Sequence, residues 1–210
     1  MNLMSIFEII GTIAFALSGC MVGISKEMDL FGTIVLAITT AVGGGVLRDI
    51  LIGIHPPAAF VNPFFATISI ITAVVVFIFY DKLNKLNNII QISDAIGLGA
   101  FAAIGCNVAI KNNFTSTFIV ISLGLFTGVG GGILRDVFAQ EIPFVFKKEI
   151  YAVACIVGGL SFVAVREHFG NSVALYVCFF VTFIVRIISM KCNLQLPKAK
   201  IRIKQENLTK

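Results

Sequence analysis

Seven apolar segments, separated by short polar breaks, dominate this sequence and restrict what it can fold into. Each approaches or exceeds the roughly 20 residues that an α-helix needs to cross a hydrocarbon core of about 30 Å. Hydrophobic residues make up 58% of the chain and charged residues 13%, against roughly 25% charged residues in a soluble domain. The sequence therefore predicts an all-α, polytopic membrane protein with seven transmembrane helices. The segments run over residues 4–24, 29–54, 61–80, 91–110, 114–139, 147–165 and 171–190.

An internal duplication is the second constraint on the fold. The sequence GGGVLRD at residues 43–49 returns as GGGILRD at residues 130–136, which is an offset of 87. Because each copy holds three spans, an odd number, the second copy enters the membrane from the opposite side and forms an inverted repeat. Further pairs recur at offsets of 86 or 87, namely Thr40 and Thr127, Pro56 and Pro143, Glu8 and Asp94, Gly11 and Gly97, Phe15 and Phe101, Gly19 and Gly105, and Cys20 and Cys106.

The duplication predicts four parts along the chain. Residues 1–84 form the first three-helix repeat, residues 85–168 the second, inverted repeat, residues 169–190 the seventh helix and residues 191–210 a basic cytoplasmic tail. From Arg186 to Lys210 there are seven Lys or Arg and one acidic residue. Since cytoplasmic segments carry an excess of Lys and Arg, we expect the N-terminus outside and the C-terminus inside. No folded nucleic-acid-binding module accompanies this charge, so the expected partner is the lipid bilayer and not nucleic acid.

Three consecutive glycines inside a membrane helix are the strongest candidates for a functional site. Each loses roughly 1 kcal/mol of helix propensity relative to alanine, and close helix packing is the usual reason for one glycine. For three together we favour a kink or break near the midplane, which exposes backbone carbonyls to a water-filled cavity. Two such breaks, at Gly43 to Gly45 and at Gly130 to Gly132, predict a shared site between the repeats. Packing alone is the alternative.

Charged residues follow each glycine triplet. They are Arg48 with Asp49, and Arg135 with Asp136. Ionisable groups inside a span usually mark a pathway or a buried pair, and the alternative is that they reach toward the interface. Because adjacent residues do not share a helix face, we expect Arg48 and Asp49 to have different partners. The alternative is that Asp49 and Asp136 neutralise the two arginines. The acidic candidates near the starts of spans 1 and 4 are Glu8 and Asp94.

Polar and aromatic residues near the glycines complete the candidate site. Thr39, Thr40 and Thr127 lie one turn or less before the glycines, where their hydroxyls either bond their own helix backbone or offer oxygen ligands to a cation. Phe15 and Phe101 are bulky enough to close a pore by dewetting. The sequence holds no catalytic triad, phosphate-binding loop or dinucleotide motif, and the five cysteines lack metal-ligand spacing. We therefore predict no enzyme activity, no cofactor and no structural metal.

Taken together, the motifs resemble the prokaryotic trimeric intracellular cation (TRIC) channel family, which is also labelled UPF0126 or a glycine transporter family. The resemblance covers residues 5–190 and is carried by MDLFGTIVLAITTAVGGGVLRDILIG and GVGGGILRDVFAQEIPFVFKKEIYA. It implies a homotrimer in the plasma (inner) membrane, a pore in each protomer, and permeability to potassium. It also implies that helices 2 and 5 bend at the glycine triplets, and that the two Arg–Asp pairs are the family's charged positions.

Two functions are compatible with these residues. The first is a passive channel for monovalent cations, with K⁺ as a transient ligand and a narrow neck at the glycine bends. The second is a small-solute transporter for glycine or a similar zwitterion, in which Arg48 or Arg135 binds the carboxylate and exposed carbonyls bind the ammonium. A structural scaffold is a third possibility, but it leaves the intramembrane charges and the triple glycines without a purpose.

Overall fold

The computed structural model describes residues 3–147 and 150–192, and all regular elements in these ranges are α-helices. They are α1 (Leu3–Ser25), α2 (Leu30–Leu51), α3 (Ala58–Val61), α4 (Phe64–Ile78), α5 (Tyr80–Leu83), α6 (Ile89–Lys111), α7 (Thr117–Phe138), α8 (Phe144–Lys147) and α9 (Ile150–Lys191). Five of them, α1, α2, α6, α7 and α9, are long and apolar enough to cross a membrane. The chain is therefore an all-helical, multi-pass membrane protein.

Each of the seven predicted spans lies on a helix, although the boundaries differ. The helix of the third span begins only at Phe64, after α3 and a break, and has 15 residues. The last two spans lie on the 42-residue α9, whose backbone leaves helical geometry at Gly170 (φ 79°), so two helices meet there without the predicted loop. That all seven cross the membrane stays a prediction. Most of the predicted tail, residues 193–210, lies outside the described residues.

The helix surfaces and the interior have the polarity that a membrane requires. Large apolar side chains point outward, with Phe118 78% and Phe31 76% exposed. The interior is an apolar core that also encloses charged and polar groups, among them the fully buried Arg135, Asp94 and Thr40. Lipid accepts an apolar surface, and ionisable groups inside a bundle are usually functional.

The duplication is visible in the turns that end the helices. The turn after α1 matches the turn after α6, and the turn after α2 matches the turn after α7. In each turn an amide donates to the carbonyl five residues earlier, at 2.8 to 3.1 Å. This is the usual way in which a helix end satisfies its last carbonyls, and it needs one residue with positive φ. Those residues are Glu27 (58°), Asn113 (62°), Gly53 (74°) and Gln140 (55°).

Four long helices form the centre of the bundle. Helix α6 packs against α1, α7 and α9, and α2 packs against α1, α7 and α4. The third helix of the first half, α4, covers α1 and α2, while α9 covers α6 and α7 in the second half. The candidate residues therefore lie where α1, α2, α6 and α7 meet.

Candidate functional site

Both glycine triplets lie inside unbroken helices. The backbone of α2 and of α7 is helical throughout, and among the described glycines only Gly53 and Gly170 have positive φ. A break at the triplets is therefore wrong for this conformation, because their backbone stays helical, while a bend without a break stays a prediction.

Close crossing of α2 and α7 explains the glycines instead. A Cβ atom at Gly44 would overlap the carbonyl of Thr127, and one at Gly131 would overlap the carbonyl of Thr40. These two contacts are equivalent at the offset of 87 and show that the helices run antiparallel. The packing alternative is the one that this structure supports, since only glycine lets two backbones approach so closely.

The threonine hydroxyls are satisfied within their own helices. Thr40 Oγ1 donates to the carbonyl of Leu36 at 2.7 Å, and Thr127 Oγ1 donates to the carbonyl of Leu123 at 2.5 Å. Both threonines are fully buried, whereas Thr39 is half-buried. In this conformation both hydroxyls bond their own helix backbone, which is the first of the two roles considered for them.

The two candidate gate phenylalanines stack on each other at the centre of the bundle. The ring centroids of Phe15 and Phe101 are 5.3 Å apart and the rings are inclined by 15°. Each ring lies over a glycine of the opposite helix, Phe15 over Gly97 and Phe101 over Gly11. Phe15 is fully buried and Phe101 is 7% exposed. The two rings, which recur in the sequence at an offset of 86, thus fill the space between α1 and α6.

Arg135 is the centre of a buried cluster that we call the Arg135 site (Ser18, Asp94, Arg135, Asp136 and Phe144). Its Nη1 donates to Asp94 Oδ1 at 2.6 Å and to Ser18 Oγ at 2.5 Å. Its Nε donates to Asp136 Oδ1 at 2.8 Å, and the guanidinium lies 4.9 Å from the Phe144 ring. Asp94, one of the two candidate acids, therefore pairs with Arg135, and Asp136 neutralises the arginine beside it, as the alternative for these aspartates has it. Arg135 lies in the last turn of α7, where the side chain can fold back toward its neighbour.

The Arg48 site (Glu8, Arg48 and Asp49) is the counterpart in the first repeat, and it is organised differently. Arg48 donates from Nε at 2.9 Å and from Nη2 at 2.8 Å to the same oxygen of Asp49, so here too the adjacent aspartate is the partner. Among the described residues Glu8 forms no ion pair. The expectation that Arg48 and Asp49 have different partners is therefore wrong, and the candidate acid Glu8 is unpaired in the described part of the chain.

A cavity of about 150 Å³ lies beside the Arg48 site. Its polar lining comes from Glu8, Thr12, Arg48, Asp49 and Asn62. It ends at Phe101, one ring of the central stack, and Asn62 at its rim is exposed. The Arg48 cavity thus leads from the surface to the stack, while the Arg135 site lies buried on the other half of the bundle.

Arg186 is a buried charge that the sequence reasoning missed, because it was counted with the basic tail. It is 1% exposed, its guanidinium lies 5.0 Å from the Tyr151 ring, and its Nε and Nη2 have no hydrogen-bond partner among the described residues. The signal was available in the spacing of Thr182, Arg186 and Ser189, which places three polar residues on one face of an apolar helix. All three are buried.

An exposed ion cluster connects two loops at the surface. Lys26 Nζ lies 2.5 Å and Lys147 Nζ 3.0 Å from the carboxylate of Glu141. Hydrogen bonds from Lys26 and then Lys147 lower the pKa of Glu141 to about 2. The turn before α2 is thereby joined to the loop after α7, although exposed pairs contribute little to stability.

Comparison with known proteins places these residues in a family. The sequence model of the family described as Glycine transporter matches residues 5–81 and again residues 91–167. The UPF0126 membrane protein YvgT of Bacillus subtilis (strain 168) is 40% identical over 202 residues, which is 94% of this chain and 97% of that protein. The chain belongs to the TRIC/UPF0126 family.

Solved structures connect this TRIC/UPF0126 chain with channels. A crystal structure of a prokaryotic TRIC channel in 0.5 M KCl is similar at a TM-score of 0.86 and 37% identity, over 92% of this chain and 98% of that one. The TRIC trimeric intracellular cation channel orthologue from Rhodobacter sphaeroides is similar at a TM-score of 0.87 and 30% identity, over 92% of this chain and 100% of that one. The family membership predicted from the glycine and Arg–Asp motifs is thus confirmed.

Proposed function

We propose that the protein is a potassium-permeable, monovalent-cation channel with one pore in each protomer of a homotrimer. The observation that carries this proposal is the likeness over nearly the whole chain to solved TRIC cation channels, at a TM-score of 0.86. The relatives are bacterial, so the membrane is the plasma (inner) membrane of a prokaryote. The lysine and arginine bias of the loops supports an external N-terminus and a cytoplasmic C-terminus.

The two halves are inverted repeats in this proposal, with seven membrane crossings in all. The reciprocal contacts of Gly44 with Thr127 and of Gly131 with Thr40 support it, because they pair equivalent positions on antiparallel helices. Phe15 and Phe101 show the same reciprocity between α1 and α6. A pseudo-two-fold axis in the membrane plane produces such pairs, and binding sites of inverted repeats lie near that axis.

The ion path that the geometry favours runs beside the glycine crossing and not through broken helices. It begins in the Arg48 cavity, passes between Phe15 and Phe101, and ends at the Arg135 site. The stacked rings and the Asp94–Arg135 ion pair fill this path, so the conformation is closed. Opening requires the rings to separate and Arg135 to leave Asp94.

The charges along this path favour cations. Each arginine is neutralised by the aspartate that follows it, Arg48 by Asp49 and Arg135 by Asp136. The remaining acidic groups are Glu8, which has no ion pair among the described residues, and Asp94, whose charge becomes available when the ion pair opens. Rings or rows of acidic side chains are a common basis of cation selectivity. The two arginines therefore do not make the path repel cations.

A small-solute transporter is the second candidate, and two observations favour it. The family description is Glycine transporter, and the Arg48 cavity presents a carboxylate and a guanidinium to one small space. A zwitterion has the complementary charges. Glycine would then bind with its ammonium group toward Glu8 and its carboxylate toward Arg48.

Reconstitution separates the two candidates. Purified protein in planar bilayers under a KCl gradient is expected to give unitary currents that reverse near the potassium equilibrium potential. Replacement of chloride by gluconate is the control, and it should leave the reversal potential unchanged. Silent bilayers, together with saturable glycine uptake into liposomes made from the same preparation, would replace the channel by the transporter.

A further inference from the structure

The Arg48 site and the Arg135 site share one pattern of hydrogen bonds around the aspartate. Asp49 uses one oxygen for Arg48 and the other for the amide of Ala58, at 2.9 Å. Asp136 does the same with Arg135 and the amide of Phe144, at 2.8 Å. These matching hydrogen bonds make residue 58 the counterpart of residue 144, at a sequence offset of 86. At the same offset Glu8 is the counterpart of Asp94, the acid that binds Arg135.

Two residues that contact Arg135 and one residue close to Asp94 are replaced at the Arg48 site. The Phe144 ring covers the guanidinium, Ser18 accepts a hydrogen bond from it, and Tyr151 lies next to Gly132 and Asp94 in the same cluster. Their counterparts, Ala58, Ile104 and Phe65, all line the Arg48 cavity. An aromatic ring and two hydroxyls are thus missing where the cavity exists. The replacement of Phe144 by Ala58 removes the ring that would fill space beside the guanidinium, while the other two replacements remove polar groups.

We propose that Glu8 and Arg48 form a second gate, which closes the Arg48 cavity as Asp94 and Arg135 close the opposite end of the path. This inference rests on the proposed channel function and names the regulation of its other mouth. Glu8 is half-buried, lines the same cavity as Arg48, and faces Arg48 and Lys111 as its cations. Its side chain is one methylene longer than that of Asp94, which extends its reach across the cavity.

The second gate is the weaker of the two. When it is closed, Arg48 is bound by Glu8 and Asp49, but it lacks the hydroxyl and the aromatic cover that Arg135 has in addition to its two acids. Restoring the missing ring should stabilise the closed form, and Ala58→Phe does this with the side chain that the Arg135 site already uses. Ala58 is exposed, so the larger side chain can be accommodated.

The test measures access to the cavity and does not require conduction. Thr12→Cys places a thiol in the cavity lining, and Cys192→Ser removes the exposed native thiol. Modification by methyl methanethiosulfonate, which is small and uncharged, is followed by mass spectrometry. Ala58→Phe is expected to slow modification about tenfold, and Glu8→Gln added to Ala58→Phe should restore most of the rate, because the ring closes the cavity only together with the ion pair.

Lys111→Gln is the matched control, since it removes the other cation that Glu8 faces. In the Ala58→Phe background it should leave modification slow. The gate is overturned if Ala58→Phe does not slow modification, or if the Glu8→Gln combination stays as slow as the Lys111→Gln combination, which would mean that the ring only fills space. In bilayers the open probability should follow the same pattern with unitary conductance unchanged. Silent wild-type bilayers would reject the channel, while the modification rates would still decide the gate.

Discussion

Neutralising Asp94 is the most informative single change at the Arg135 site. Asn has the shape of Asp, so Asp94→Asn keeps the packing and removes the charge. In the closed form both side chains are fully buried and their atoms are 2.6 Å apart. A hydrogen bond to a charged group contributes about 1.5–3 kcal/mol. Asn can still accept a hydrogen bond from Arg135, so the closed form loses only the attraction between the charges, which is at most this amount. Since the pair is broken in the open form, the ratio of open to closed channels should rise about 10-fold, with an upper bound of about 150-fold.

Single-channel recording of Asp94→Asn in planar bilayers measures this ratio directly. Unitary conductance should fall at the same time, because the variant removes an acid from the ion path. Asp81→Asn is the matched control, with the same change of charge on the exposed α5 helix and no bond among the described residues. An open probability of Asp94→Asn that equals that of the wild type, or an equal rise in Asp81→Asn, would refute the role of the ion pair.

Two further predictions concern the glycine crossing and the surface cluster. Gly44→Ala should destabilise the protein by roughly 1–3 kcal/mol, because its Cβ overlaps the Thr127 carbonyl. Gly45→Ala should melt no lower than the wild type, since its Cβ meets only Arg48 Nη2 at 3.8 Å. Thermal melting in detergent measures both variants, and equal melting temperatures would contradict the packing account. The Glu141 carboxylate should stabilise the fold slightly above its ordinary pKa of 4.5 and lose this contribution as the pH falls toward about 2. The difference in melting temperature between wild type and Glu141→Gln should therefore shrink over that range and at high salt, and a difference that grows with acid would be inconsistent with it.

The apolar helices and the sequence duplication could be predicted because each depends on a pattern that extends over many residues. Apolar runs of about 20 residues have few soluble alternatives. The sequence also named Asp94 among the candidate acidic partners of the intramembrane charges, and the structure pairs it with Arg135.

The glycine triplets and the charge partners show where sequence reasoning stops. A low helix propensity indicates either a break or a close contact, and only the crossing of α2 and α7 decides between them. The ion pairs of Arg48 and Arg135 with the next residue depend on the position of each arginine in the last helical turn. A rule for helix interiors does not apply there.

The difference between the two halves was the least visible feature. It depends on replacements outside the repeated motif, such as Ala58 for Phe144. These positions can be recognised as equivalent only from the matching hydrogen bonds that Asp49 and Asp136 accept from their amides. Arg186 was missed for a related reason, since a basic residue near a basic tail resembles its neighbours in sequence but is buried in the fold.

The central claim is that ions pass between Phe15 and Phe101, and a cysteine at the stack tests it most directly. Phe101→Cys in the Cys192→Ser background should conduct, and a charged methanethiosulfonate added from the side of the Arg48 cavity should block its current irreversibly. Phe183→Cys on α9 is the control, because that ring lies against Phe179 and away from the cavity, and its current should persist. Block of Phe101→Cys alone is the predicted result. An unblocked current in Phe101→Cys, with modification of the thiol verified by mass spectrometry, would contradict the claim.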